Sequence, residues 1–388
     1  MKSLRNWLLL SALALPGAAP ARDQSTAAIS ELPSAASAPI ALLADLSSGQ
    51  ILFAREANQR FLPASMTKAM TALVAFDLIS AGKRRESDRF VVRADTAKRW
   101  AEEGTTLNLR AGESVTVHDL LMGTIAVSAN DAASVLAEGA GGSVSQWTAA
   151  MNERAETLGM AGRHFASANG SPDGGKTYVT ANDLVRLARA LIQHHPELYR
   201  RYFGQQAMLW HGAKLRSHDP LSGMLPGADG IKTGHSFEAG FNYLGSVERQ
   251  GRRMVLVIAR APTEPGRASA ARKLAEWGFE AWDSAVFLDP GFAVGEAWVQ
   301  GGNARGVRLG VPRRYALSIS RGGSRVVSAT ITYDGPLRAP LAKGQQVARL
   351  TVHLAGQPDH VLPLVALDAI DPAGPIDRIA NGLLGLLE

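Results

Sequence analysis

The 388-residue sequence contains no cysteine. That excludes cysteine nucleophiles, thiolate metal sites and any need for disulfides. Its nine histidines form no H-E-x-x-H pair, and His194 and His195 are adjacent, so on a helix they face different ways. A metal hydrolase is therefore not expected, and no cofactor of any kind is. There is no G-x-S-x-G elbow, which removes a lipase-type triad, and no phosphate-binding glycine loop or internal repeat. Aromatic residues make up only 6% and are scattered, as core residues are. The formal charge of +6 draws two units from Lys2 and Arg5 and contains no polybasic run, so no nucleic-acid partner is expected. No hydrophobic run is long enough to span a bilayer as a helix.

What remains is an ordinary globular composition, 46% hydrophobic and 20% charged, with length for two cores. Lys2 and Arg5, the short apolar stretch Trp7 to Leu15 and the small residues Ala19-Pro20-Ala21 have the layout of a secretory signal. The expected organisation is a signal peptide over 1–21, a leader over 22–38 and a catalytic domain over 39–285. A β-sandwich domain over 286–370 and a tail over 371–388 follow. Residues 39–45 and 50–54 flank a turn and read as a hairpin. The helix starting near Ser65 carries Met66, Ala69, Met70, Leu73, Val74 and Ile79 at helical spacing, and its apolarity predicts burial. Thr105 to Leu109 reads as a short strand, and helices are expected from Val117, Asp131, residue 145 and Thr180. Strands over 241–247 and 254–259 make a meander with the strand holding Lys232, followed by a helix over 267–282. From Leu288 short alternating runs between Gly, Pro and Asp turns indicate an all-β domain. Ile379, Leu383, Leu384 and Leu387 give the tail helical spacing, with Arg378 as its one basic residue.

Three short motifs carry the chemistry. Ser65 and Lys68 in Pro63-Ala64-Ser65-Met66-Thr67-Lys68 lie three apart, on one face of a helix start. A serine hydroxyl needs a nearby base to become a nucleophile, and a lysine serves if burial or neighbouring positive charge lowers its pKa. One S-x-x-K is expected by chance about once in a chain this long. Ser128-Ala129-Asn130, between two helices, would point a hydroxyl and an amide into a cleft. Lys232-Thr233-Gly234, on a strand, offers a charge, a hydroxyl and a backbone open to close approach, a combination suited to a carboxylate. Each is weak alone; their joint order and placement are strong.

With these residues and the stretches Phe61 to Thr71, Asp229 to His235 and Trp277-Gly278-Phe279, the chain resembles the D-alanyl-D-alanine carboxypeptidases among the low-molecular-weight penicillin-binding proteins, from about Pro39 to Ala366. The resemblance implies an α+β fold, an antiparallel sheet flanked by helix clusters and followed by a small all-β sandwich. It implies that Ser65 attacks the penultimate D-Ala carbonyl of a peptidoglycan stem pentapeptide, with Lys68 as base and Ser128 relaying a proton to the leaving amine. Asn130 would hold the substrate amide, and Lys232 and Thr233 the terminal carboxylate, with Arg267 assisting. Gly234 belongs to the same substrate-binding strand, and the backbone N–H groups of Ser65 and His235 would form the oxyanion hole. β-Lactams would be covalent inhibitors. Location in the periplasm is implied, with the tail as a candidate for peripheral contact with the inner membrane. The middle motif departs from the usual Ser-Gly-Asn, and the tail lacks a strongly basic helix. A class A-like β-lactamase would need an E-x-x-L-N sequence, which His164 to Thr180 does not contain. A DD-endopeptidase on cross-linked muropeptides and a non-catalytic wall-binding protein stand as alternatives.

Overall fold

The computed structural model describes residues 38–321, 327–354 and 359–374. The expected signal segment and the tail helix lie outside these residues. Among them no helix is long and apolar enough to cross a membrane. They divide into two compact units, one ending at Ala281 and one beginning at Trp282.

The first unit opens with the expected hairpin, β1 (Ile40–Asp45) and β2 (Gln50–Arg55). Asp45 accepts the Ser47 N–H at its turn, and Gly49 supplies the left-handed residue at φ 82°. A 3-10 turn, Ala64–Met66, leads into α1 (Thr67–Ser80). Ser65 thus sits in the turn just before the α-helix rather than inside it. Every residue of α1 from Thr67 to Phe76 is buried, because the helix is apolar on all sides and runs through the main core.

Next come β3 (Arg89–Val91), α2 (Ala94–Trp100) and β4 (Ser114–Thr116). The helices α3 (Val117–Ile125), α4 (Asn130–Gly141) and α5 (Val144–Thr157) follow. The helix α6 (Ala181–His194) starts from a capping box in which Thr180 and Asp183 bond reciprocally. After it come α7 (Pro196–Tyr202), β5 (Ala207–Trp210) and β6 (Ala213–Arg216). The meander is β7 (Ala228–Ser236), β8 (Gly240–Arg249) and β9 (Arg252–Ala261), and α8 (Glu264–Glu280) closes the unit. The sheet order is β2-β1-β9-β8-β7, antiparallel throughout, so β7 with Lys232 and Thr233 is an edge strand beside the Ser65 turn.

The second unit contains β10 (Trp282–Leu288), β11 (Gly295–Gln300), β12 (Gly306–Gly310) and β13 (Tyr315–Ser320). Then follow β14 (Val327–Thr332), β15 (Leu337–Arg338), β16 (Gln346–Leu354) and β17 (His360–Ala366). Among the described residues they form a six-stranded sheet, β14-β16-β17-β12-β11-β15, and the pair β10-β13. Their inward residues, among them Leu309, Leu317, Leu350 and Leu364, make a separate core.

One expected element is absent. Thr105 to Leu109 alternates like a strand but pairs with no strand, because a buried carboxylate takes its backbone donors. Asp131, in the first turn of α4, accepts the N–H groups of Leu107 and Leu109 at 3.0 Å, as well as that of Ala132 at 2.8 Å. Asp131→Ala leaves those buried donors unpaired and should cost roughly 3 kcal/mol, read from urea unfolding. Asp131→Asn, which keeps one acceptor oxygen, should cost less.

Candidate active site

The three motifs meet in one cleft. Its walls include Ser65, Ser128, Asn130, Thr233, Gly234, His235 and Arg267. The lysine of the first motif lies behind Ser65, at the second position of a helix buried on all sides, and has no exposed surface. Its Nζ stands 2.9 Å from Ser65 Oγ, 2.7 Å from Asn130 Oδ1 and 2.8 Å from the Asn169 carbonyl oxygen. Burial holds the Lys68 pKa well below its ordinary value, and the charge of Lys232 lowers it further, against an opposing pull from Asp131. A neutral amine has two N–H donors and one lone pair. With the donors on Asn130 and Asn169, the lone pair is left for the Ser65 hydroxyl, which is the arrangement a general base needs.

Close backbone contacts hold these groups in place. Ala64, just before Ser65, adopts a left-handed φ of 48°. A Cβ on Gly234 would lie 2.2 Å from the Pro63 carbonyl oxygen, so only glycine lets β7 reach the nucleophile turn. On the other side, Gly170 has φ 77°, and a Cβ there would meet the Ala64 carbonyl oxygen at 1.9 Å. The loop carrying Asn169 is fastened to α1 by Thr71 Oγ1, which donates to the Ala168 carbonyl oxygen at 2.6 Å.

Ser128 occupies the turn between α3 and α4 with φ 67°, and its side chain lines the cleft. Asn130 opens α4, and its N–H donates to the Thr105 carbonyl oxygen at 2.7 Å. The alanine of Ser-Ala-Asn is fully buried in the core, at φ −65° and ψ 126°. Its methyl group therefore leaves the cleft unshaped and the backbone unstrained, and the departure from Ser-Gly-Asn changes neither polar group.

Lys232 is buried behind Thr233, donating to the Thr233 carbonyl oxygen at 3.2 Å. Burial brings its pKa down to about 7; Asp219 opposes this and Arg267 adds to it. Asp219 is fixed by the Tyr243 hydroxyl, which donates to its Oδ1 at 3.0 Å. The strand start is anchored separately, by Arg253 Nη1 donating to Asp229 Oδ2 at 2.7 Å. His235 lies exposed on the cleft and stacks on Phe241, ring centroids 4.0 Å apart. Arg267, in the first turn of α8, is buried and pairs with Glu264 at 2.8 Å.

All nine residues singled out from the sequence thus belong to one neighbourhood. The sequence reading missed Asn169, Asp131, Glu264 and His218. His218 lines the cleft, and burial and the charge of Lys232 push its pKa down while Glu264 pulls it up. Asn169-Gly170 is a residue pair common in turns, but the acceptor it supplies is a main-chain carbonyl without a side-chain signature. Among the described residues no group of three or more His, Asp or Glu side chains is placed to hold a metal ion.

The chain is similar to known proteins over most of its length. The profile of a family described as D-alanyl-D-alanine carboxypeptidase matches residues 26–263, and that of the penicillin-binding protein 5 C-terminal domain matches 283–372. D-alanyl-D-alanine carboxypeptidase DacD of Escherichia coli K12 is 31% identical over 348 residues, covering 88% of each chain. The crystal structure of penicillin binding protein 5 from Haemophilus influenzae has a TM-score of 0.78 at 29% identity, covering 86% of this chain and 98% of that one. Penicillin-binding protein D2 of Listeria monocytogenes, solved with ampicillin bound, gives 0.57 at 30% identity over 63% of this chain and 98% of its own. By sequence and by fold, this chain belongs to the D-alanyl-D-alanine carboxypeptidase family of penicillin-binding proteins.

Proposed function

We propose that this protein is a serine carboxypeptidase that removes the terminal D-Ala from peptidoglycan stem pentapeptides through an ester on Ser65. The observation that carries this reading is the buried Lys68, whose Nζ stands 2.9 Å from Ser65 Oγ with two other acceptors around it. In the first step the Ser65 hydroxyl proton passes to Lys68 as Oγ bonds to the carbonyl carbon of the penultimate D-Ala. The oxyanion would be held by the N–H groups of Ser65 and His235; losing one such donor typically costs about 3 kcal/mol of barrier. The proton then travels from Lys68 through Ser128 to the departing amine, and free D-Ala leaves. Water, deprotonated by the same lysine, splits the ester and restores the serine. Asn130 holds the substrate amide, while Thr233 and Arg267 on the cleft wall, with the charge of Lys232 behind them, receive the terminal carboxylate.

A β-lactam ring opened by Ser65 would leave the same kind of ester. Ampicillin bound to the Listeria relative supports this for the shared fold. The layout of residues 1–21 supports export to the periplasm, and the reading includes contact of the tail with the inner membrane.

Wild-type protein should release D-Ala from a muramyl pentapeptide and be labelled by a fluorescent penicillin, while Ser65→Ala should do neither. Labelling that persists in Ser65→Ala would overturn the nucleophile assignment. Release only from cross-linked muropeptides would favour an endopeptidase.

The acid limb of penicillin acylation against pH should report Lys68 losing its proton. Lys232→Gln removes a charge that disfavours protonated Lys68, so the Lys68 pKa should rise and the limb should move to higher pH. A limb that stays in place would show that Lys232 does not act on the base. Gly234→Ala should force β7 away from the Pro63 carbonyl and slow acylation about a hundredfold, with far-ultraviolet circular dichroism unchanged.

A further inference from the structure

The end of the cleft that must receive a carboxylate already contains one. Glu264 lines the cleft together with Arg267, His218 and Thr233, and its Oε1 accepts from Arg267 Nη2 at 2.8 Å. An acid at the start of α8 paired three residues on would ordinarily be a solvated surface contact of little consequence. The burial of the two partners argues otherwise. The Glu264 side chain is 60% exposed, whereas that of Arg267 is 4% exposed. The guanidinium is therefore largely withdrawn from water, and its Nε is buried without a hydrogen-bond partner. The Phe241 ring, its centroid 5.9 Å from the guanidinium carbon, offers no acceptor oxygen. A buried guanidinium left short of acceptors is costly, and a second carboxylate oxygen beside Nη2 and Nε would relieve it. Lys232, deeper in the wall, spends a donor on the Thr233 carbonyl.

We propose that Glu264 is the resident partner of Arg267, and that the terminal carboxylate of the substrate binds by taking its place. Glu264 then sets the affinity for carboxylate-ended peptides. In the empty cleft it keeps the guanidinium aimed at the carboxylate position. When substrate arrives, its exposed side chain swings toward solvent at small cost, since it is already mostly hydrated. The negative charge left nearby weakens binding of the substrate carboxylate, and of D-Ala as product, which favours release. This inference rests on the carboxypeptidase reading above.

The test compares wild type, Glu264→Gln and Ser65→Ala on an acylated tripeptide ending in D-Ala-D-Ala and on the same peptide as its C-terminal amide. Glutamine keeps an oxygen to accept from Arg267 but removes the competing charge. For the acid substrate, Glu264→Gln should lower KM roughly three- to tenfold and leave kcat within about twofold. Inhibition by free D-Ala should tighten in parallel, and the amide's kinetic constants should not change. A merely structural role predicts the reverse, a raised KM for the acid because Arg267 has lost its support. An unchanged ratio of the acid and amide KM values would also overturn the proposal. Absence of Ser65-dependent D-Ala release by the wild type would instead overturn the carboxypeptidase reading, so the two failures are told apart within one assay.

Discussion

The site depends on keeping one amine uncharged. A lysine with no exposed surface, at the start of a helix buried on every side, pays a desolvation penalty when protonated that no ion pair among its hydrogen-bond partners offsets. Those partners, Ser65 Oγ, Asn130 Oδ1 and the Asn169 carbonyl, are neutral. Lys232 adds a repulsive charge, and Asp131 provides a weaker opposing one. The same core packing that stabilises α1 therefore also sets the chemistry at its N-terminal end.

The rest of the first unit fixes three chain segments around that amine. The edge position of β7 leaves one side free to face the cleft, and Gly234 allows it to close on the Ser65 turn. Gly170 does the same for the loop bearing Asn169. Asp131 gathers residues 105–109 into the opposite wall by accepting their backbone donors. Close approach of main chain to main chain, rather than side-chain packing, sets the width of the site.

Those features differ in how far the sequence reveals them. The motif residues are legible because their chemistry resides in side chains and each motif occupies a few adjacent positions. The hairpin, the meander and the buried helix follow from periodicity, and Thr180 announces its own capping box. Thr105 to Leu109 misleads because alternation reports burial on one side and not what satisfies the backbone; here the partner is a carboxylate more than twenty residues away. The Asn169 carbonyl is invisible for a related reason, since every residue has one and only the fold selects which is used. The Glu264–Arg267 pair has helical spacing, but the burial that separates a surface contact from a cleft residue is a tertiary property.

The base and its acceptors come from positions 62 and 101 residues apart in the chain. In an unfolded chain Lys68 would be hydrated and protonated at neutral pH, and Ser65 would be an ordinary alcohol. Reactivity is thus acquired only when the tertiary structure closes, so newly made protein carries no armed nucleophile. Covalent capture of a β-lactam would then count natively folded molecules, one label per correctly assembled core.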